Sequence, residues 1–134
     1  MKLTPTRSYQ QKKEAVIRDW HVIDMKDKVL GRTAAEIAIL LMGKQKPTFT
    51  NNVDGGDYVV VINAKQVAVT GNKRVGKIYY RHSQFPGGLK TETFEHKLAR
   101  HPVQLIEEAV WGMLPKNKLR DPRMKRLKVF PESE

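Results

Sequence analysis

The sequence contains no cysteine, which excludes a disulfide scaffold, a thiolate zinc site and a thiol nucleophile. It also lacks a long hydrophobic segment. The longest uninterrupted apolar run, Ile37 to Met42, is far shorter than the roughly 20 residues that span a bilayer. The first residues, Met1 to Pro5, include no apolar stretch that could serve as a secretory signal. We therefore expect a small, soluble, intracellular domain.

Acidic residues are scarce: the chain has 14 Asp and Glu but 25 Lys and Arg, which gives a net charge of +11. Six cations and no acid lie between Lys65 and Lys90, and seven cations and one acid lie between Lys116 and Lys128. The rest of the chain is close to neutral. A solvated surface is one explanation, but so much charge of one sign repels itself, and a polyanion would relieve that repulsion. Nucleic acid is the partner that this distribution favours.

Apolar patterning predicts a single α/β domain. A strand over Trp20–Asp24 precedes a helix that begins at Leu30 and ends before Gly43, and after a loop the continuous run Tyr58–Ile62 is typical of a parallel strand covered on both faces. The remaining predicted elements are short strands at Val67–Thr70, Lys77–His82 and Leu127–Phe130, and helices over Thr91–Arg100 and from Pro102 to a stop at Gly112. Pro122 predicts that the basic C-terminal segment is a loop.

The segment Gly71–Lys77 has the spacing of a phosphate-binding loop. The residue that follows is Ile78, where such a loop needs a hydroxyl for magnesium, and the next residues favour a strand over a helix. A nucleotide-hydrolysing enzyme is therefore an alternative that the sequence disfavours, and a basic hairpin turn is expected here instead.

No other residues form a catalytic or metal-binding pattern. The four histidines lack ligand spacing, and Ser83 beside His82 does not amount to a nucleophile with its base. Asp54 and Asp57 bracket two glycines, and we expect them to serve the geometry of the turn before Tyr58. The sequence thus predicts no catalytic residue, no metal, no cofactor and no small-molecule substrate.

Aromatic and basic residues alternate in the second half of the chain. Tyr79, Tyr80 and Phe85 lie among Lys77, Arg81, His82 and Lys90, a mixture that suits RNA because planar side chains stack on unpaired bases. In a strand, Tyr79 and Arg81 would face one side and Tyr80 and His82 the other. One of these faces could equally belong to the core.

Several longer motifs, in this order, resemble the thirteenth-protein family of the bacterial-type large ribosomal subunit. They are Trp20–Asp24 with Leu30-Gly31-Arg32, Asp57–Ala64, Val67–Lys73, Tyr80–Lys90, Gly112–Leu119 and Leu127–Phe130. The resemblance implies a three-layer α/β/α fold with a small four-stranded, mainly parallel sheet. It also implies a structural, non-enzymatic protein that binds large-subunit ribosomal RNA, contacts neighbouring ribosomal proteins and supports early subunit assembly.

The resemblance implies that residues at twelve matching positions contact RNA: Arg32, Lys44, Lys46, Lys73, Arg81, His82, Lys90, Lys116, Lys118, Lys125, Arg126 and Lys128. The two basic segments add Arg74, Lys77, Arg120 and Arg123 as candidates. We expect residues 1–18 to form an extended arm, residues 19–134 to form the RNA-binding domain, and the protein to be cytoplasmic and ribosomal rather than organellar. A general binder of duplex DNA or of an anionic membrane is the remaining alternative, and the lack of a basic amphipathic helix disfavours the membrane.

Overall fold

A computed structural model describes residues 8–133. Its helices are α1 (Leu30–Met42), α2 (Lys73–Gly76), α3 (Phe94–Arg100), α4 (Pro102–Met113) and α5 (Arg120–Lys125). Its strands are β1 (Trp20–Asp24), β2 (Tyr58–Ile62), β3 (Ile78–His82), β4 (Leu89–Thr93) and β5 (Leu127–Val129). The predicted arm lies partly outside the described residues; over residues 8–18 the only regular element is a 3-10 turn at Lys13–Ala15, and the arm stays a prediction.

Three parallel strands form the main sheet in the order β1-β2-β5, with Val22 beside Val60 and Val60 beside Lys128. The predicted α/β class with a parallel sheet is confirmed, but the predicted four-stranded sheet is wrong. The segment Val67–Thr70 contributes only an isolated parallel bridge from Ala68 to Val29. It turns away at Gly71, whose φ is +65°, before a ladder can form.

One face of the main sheet is buried under α1 and α4. Val59 and Val61 of β2 are fully buried there, together with a stripe from each helix: Ala34, Ile37 and Leu41 from α1, and Leu105, Ile106 and Val110 from α4. Burying each large aliphatic side chain contributes about 1.5–3 kcal/mol. Helix α1 ends at Gly43 as predicted, because its φ of +77° lets its N–H reach the carbonyls of Ile39 and Leu40.

The opposite face of the main sheet carries no helix among the residues described. Trp20 and Val22 are 63% and 68% exposed, and Trp20 stacks on Tyr58 with 4.5 Å between ring centroids. The expected three-layer arrangement is therefore wrong for residues 8–133, as is the expectation that β2 is covered on both faces. Tyr58, Val60 and Ile62 are half-buried, because on this face apolar side chains shield one another across the strands rather than packing under a helix.

Strands β3 and β4 form a separate antiparallel hairpin. The predicted strand at Lys77–His82 is confirmed, but the helix predicted from Thr91 is wrong in its first turn. Thr91 and Thr93 pair with Tyr80 and Ile78 across the hairpin, so α3 begins only at Phe94. The buried Phe94 side chain then anchors α3 in the core.

The predicted C-terminal loop is wrong between Arg120 and Lys125, where the chain forms α5. Pro122 is the third residue of this helix, and a proline is tolerated in the first turn because an N–H there has no partner within the helix. Helix α4 likewise continues through Gly112 to Met113 instead of stopping at the glycine. The final strand, predicted at Leu127–Phe130, is confirmed as β5.

Ion pairs with buried members hold the loop between α1 and β2. Asp57 is 1% exposed; it pairs with Lys46 and accepts hydrogen bonds from His21 Nε2 at 3.0 Å and from the backbone N–H of Asp19 at 3.1 Å. Asp54 accepts hydrogen bonds from both terminal nitrogens of the buried Arg126, with Nη2 at 2.6 Å from Oδ1. The two aspartates thus bind distant parts of the chain, a role that goes beyond the turn geometry predicted for them.

We predict that Gly56→Ala destabilises the protein. A Cβ at Gly56 would lie 1.8 Å from the carbonyl oxygen of Leu41, whereas a Cβ at Gly112 meets no atom within 4 Å. We expect Gly56→Ala to lower the free energy of unfolding by about 2–3 kcal/mol, and Gly112→Ala to raise it by up to about 1 kcal/mol. Urea unfolding of both variants tests this, and equal stabilities would contradict the packing described.

We predict that Asp57 makes the free energy of unfolding depend on pH, so that the protein loses stability in acid. Burial raises the pKa of Asp57, but the hydrogen bonds from Lys46, the Asp19 N–H and His21 outweigh burial and hold it below its ordinary value. Its stabilisation is therefore present above the unfolded-state pKa of about 4 and is lost as the pH falls through the lower folded-state pKa. Asp57→Asn should lower stability at pH 7 and flatten the loss below about pH 4.

The control for that variant is Asp27→Asn, which alters an exposed carboxylate in a left-handed turn that asparagine also tolerates. Urea midpoints measured from pH 7 down to acid compare the two variants with the wild type. An Asp57→Asn protein as stable as the wild type at pH 7, with the same acid dependence, would show that the pairs of Asp57 contribute nothing.

Candidate nucleic-acid interface

The β3–β4 hairpin presents cations and aromatic side chains together. Arg81 lies directly opposite Lys90 in the ladder, and both side chains are exposed. Tyr80 is 67% exposed and Phe85, in the connecting turn, is 73% exposed. Like charges opposite one another destabilise a hairpin, and a two-stranded sheet is weak on its own. The hairpin therefore displays a charge arrangement that its own fold does not favour.

The two tyrosines of β3 face opposite sides, as the alternation predicts. Tyr79 is half-buried against the core, and its ring lies beneath the ammonium of Lys97, at 4.3 Å, and that of Lys77, at 5.1 Å. Tyr80 points away and lines a groove of about 570 Å³ between the hairpin and α3, together with Arg81, Lys90 and Arg100. Lys97, Glu92 and Glu108 also line the groove, where Lys97 pairs with Glu108 and Arg100 with Glu92. Among the described residues, Arg81 and Lys90 are thus the groove's cations without a carboxylate partner, and beside the Tyr80 ring they suit an RNA contact.

A second cationic cluster lines a cleft at the start of α1. Arg32, Lys73 and Lys77 border this cleft of about 1070 Å³, which is closed on another side by the last turn of α4. Lys73 and Arg74 lie in α2, so the expected hairpin turn over Gly71–Lys77 is wrong: a four-residue helix fills that place. Arg74 reaches Glu95 at 3.3 Å, although both side chains stay exposed.

The C-terminal basic segment divides into exposed and buried cations. Lys116, Lys118, Lys125 and Lys128 are exposed. Arg120 is half-buried because its guanidinium stacks on Trp111 at 3.9 Å and donates to the Trp111 carbonyl. At the C-terminal end of α4, Met113 lines the cleft, and Pro115 lines a separate pocket together with Lys44 and Arg123.

Three of the predicted RNA contacts are directed into the protein. Arg126 is 7% exposed and bound to Asp54 and to the carbonyls of Leu41 and Asp57. Arg123 is 2% exposed, and the Lys46 side chain, paired with Asp57, is 18% exposed. Sequence spacing carried no signal for these pairings, since 72 positions separate Asp54 from Arg126.

The other predicted contacts lie on the surface. Arg32, Lys44, Lys73, Arg74, Lys77, Arg81, Lys90 and His82 are exposed; the His82 ring accepts a hydrogen bond from the Gln84 N–H at 3.0 Å. Sequence reasoning did not single out Trp20 or Arg100. Trp20 gives no signal of exposure within an apolar strand, and Arg100 reaches the hairpin groove only through the fold of α3.

Residues 8–133 offer neither a metal site nor a membrane-spanning helix. No group of three or more histidine, aspartate or glutamate side chains in that range is arranged to hold a metal ion. None of its helices combines the length and the apolarity needed to cross a bilayer.

Comparison with known proteins identifies the family. The family profile described as "Ribosomal protein L13" matches residues 18–134. Three curated relatives, each named "Large ribosomal subunit protein uL13", are similar over most of their length. The relative from Vibrio atlanticus is 52% identical over 96% of this chain and 90% of its own.

The relative from Geobacter sp. (strain M21) is 54% identical over 89% of this chain and 84% of its own. The relative from Shewanella denitrificans is 56% identical over 87% and 82%. Together with the match of the family profile to residues 18–134, these identities confirm the resemblance found in the sequence: the chain belongs to the ribosomal protein L13 family.

Proposed function

We propose that the protein is a structural constituent of the large ribosomal subunit, not an enzyme, and that it binds large-subunit ribosomal RNA and supports early subunit assembly. The observation that carries this proposal is the exposure of most cations in the two basic segments, around a body in which Asp54 and Asp57 are already paired. Phosphates supply the negative charge that these cations lack. RNA also offers unpaired bases for the exposed Tyr80 and Phe85.

The proposed contact set is narrower than the set predicted from sequence. It keeps the cations and the histidine whose side chains reach solvent: Arg32, Lys44, Lys73, Arg74, Lys77, Arg81, His82, Lys90, Lys116, Lys118, Arg120, Lys125 and Lys128. Lys46 and Arg126 leave the set because Asp57 and Asp54 already hold their charges. Arg123 leaves the set because its side chain is buried. Unlike Lys46 and Arg126, it has no hydrogen-bond partner for its Nε.

The mechanism is electrostatic and geometric. Lysines at chain turns make point contacts with phosphates, while Arg81 can pair a phosphate through two N–H groups or stack on a base. The pairs of Asp54 and Asp57 fix the body, so the clusters are held at set separations before RNA arrives. Neighbouring ribosomal proteins are further partners in this proposal, and the bacterial relatives favour a bacterial-type ribosome in the cytoplasm.

The alternative functions lose support from the geometry. Nucleotide hydrolysis would need a helix opened by the glycine-rich segment, but α2 is four residues long and Ile78 begins a strand. A general duplex-DNA binder remains the rival for the cationic surface. Competition between large-subunit ribosomal RNA and random duplex DNA separates the two, because a general binder would show no preference.

We predict that reversing Lys116, Lys118 and Lys128 together to glutamate weakens binding to large-subunit ribosomal RNA. Each phosphate that the variant no longer neutralises should reduce the slope of log affinity against log salt by about 0.7–0.9. Filter binding at roughly 50 to 200 mM salt measures that slope. Lys26→Glu, an exposed change in the turn after β1, is the control, and an unchanged slope in the triple variant would remove these lysines from the interface.

We predict that Lys90→Glu stabilises the free hairpin while it weakens RNA binding. The substitution replaces a like-charge pair with Arg81 by an opposite-charge pair, worth about 0.2–1 kcal/mol in a ladder. Amide hydrogen exchange of β3 and β4 should slow in the free variant, and RNA affinity should fall. Thr91→Glu, one position along β4 and opposite Tyr80, adds an acid without altering the Arg81 pair; a Lys90→Glu hairpin that exchanges faster than wild type would contradict the prediction.

A further inference from the structure

Arg123 is a buried cation without a complete partner. It is 2% exposed, and its Nε has no hydrogen-bond partner. The nearest carboxylate oxygen, Oδ1 of Asp54, lies 3.6 Å from Nε, which is too long for a hydrogen bond. Arg126 already occupies both oxygens of Asp54. Two guanidinium groups therefore share one carboxylate, and one positive charge is left over.

A buried charge that is only partly compensated is costly, and arginine does not escape the cost by losing its proton. Burial acts most strongly on the Arg123 side chain and lowers its pKa, against the opposing effect of Asp54. The carbonyl of Leu41, at the end of α1, accepts a hydrogen bond from Arg126 rather than from Arg123. The folded protein thus keeps a buried cation that shares its one carboxylate with a second arginine.

Arg123 borders a pocket that could admit such a partner. The pocket has a volume of about 370 Å³, close to the lower limit of about 300 Å³ for ligand sites. Its polar lining consists of Lys44, Asn51 and Asn117, and its apolar lining of Met42, Phe49 and Pro115. Lys44 is exposed at the surface, so an anion entering from solvent meets one cation at the mouth and a second inside.

We propose that this pocket holds one phosphodiester group of the ribosomal RNA, paired with Arg123. The inference rests on the proposed function and deepens it, since it makes Arg123 a direct RNA contact although the side chain is buried. A phosphodiester carries the single negative charge that the site lacks, its oxygens suit the guanidinium of Arg123, and the apolar lining suits the attached ribose or base. The exposed Lys116 and Lys118 next to this segment favour RNA over a protein carboxylate.

The first test compares Arg123→Met with Arg126→Met. Because Arg123 and Arg126 share the single carboxylate of Asp54, Arg123→Met should leave the free protein as stable as wild type or more stable. It should also weaken binding to purified large-subunit ribosomal RNA about ten- to hundredfold. Arg126→Met, which strips Asp54 of its partner, should destabilise the free protein. A destabilised Arg123→Met protein with unchanged RNA affinity would overturn the proposal, because Arg123 would then be structural.

The second test needs no stable variant. The Nε–H resonance of Arg123 in ¹⁵N-labelled wild-type protein is followed by NMR during titration with a diribonucleoside monophosphate, which carries one phosphodiester. The resonance is assigned with Arg123→Lys, which lacks Nε. Parallel titrations use inorganic phosphate and acetate. We expect a saturable shift with the dinucleotide that exceeds the shift with either small anion.

The other outcomes decide against the proposal. A shift of equal size with inorganic phosphate would make this a free-phosphate site, a response to acetate alone would make it a site for a protein carboxylate, and no shift at all would exclude an anion site. Binding of the wild type to ribosomal RNA is measured first. If that binding is absent, the proposed function fails; if it is present and Arg123→Met binds equally well, only this inference fails.

Discussion

The structure depends on where positive charge is neutralised and where it is not. Asp57, paired with Lys46, joins the loop after α1 to β1 through His21 and the Asp19 N–H, and Asp54 joins the same loop to the start of β5 through Arg126. The remaining cations have few acidic partners and repel one another at the hairpin, at the cleft beside α1 and after α4. The folded body therefore stores unfavourable electrostatic energy at its surface, and a polyanion with matching geometry releases it.

The local elements could be predicted because their signals are local. Gly43 ends α1 in a left-handed conformation, Pro102 begins α4, and the β-branched run of Tyr58–Ile62 forms the central strand. The secondary-structure predictions failed where contacts between parts of the chain that are distant in sequence determine the local structure. Thr91 pairs with Tyr80 across a hairpin turn, and a proline at the third position of α5 does not interrupt that helix. The apolar run of β2 also does not reveal that side chains of the neighbouring strands, rather than a helix, shield one face of this strand.

The positive charge of the interface could be predicted from the sequence, but which of its cations are exposed and which are buried could not. Counting cations located the two segments, and most of those side chains are exposed. Counting could not separate Arg126 from Lys125, its neighbour in sequence, because the difference lies in Asp54, 72 positions away. The same distant pairing leaves Arg123 buried with part of its hydrogen-bonding capacity unused. Both arginines belong to a segment that the sequence predicts to be exposed. Arg126 is instead structural, and Arg123 is the candidate for the most deeply buried RNA contact.

Lysine footprinting tests the central claim most directly. The free protein and the protein within purified large subunits are acetylated under the same conditions, and modification at each lysine is read by mass spectrometry. Relief of cationic repulsion by RNA predicts strong protection of Lys44, Lys73, Lys77, Lys90, Lys116 and Lys118, while Lys26 stays reactive. Equal reactivity of those six lysines in the two states would show that the basic surface faces solvent in the assembled particle, and it would contradict the account.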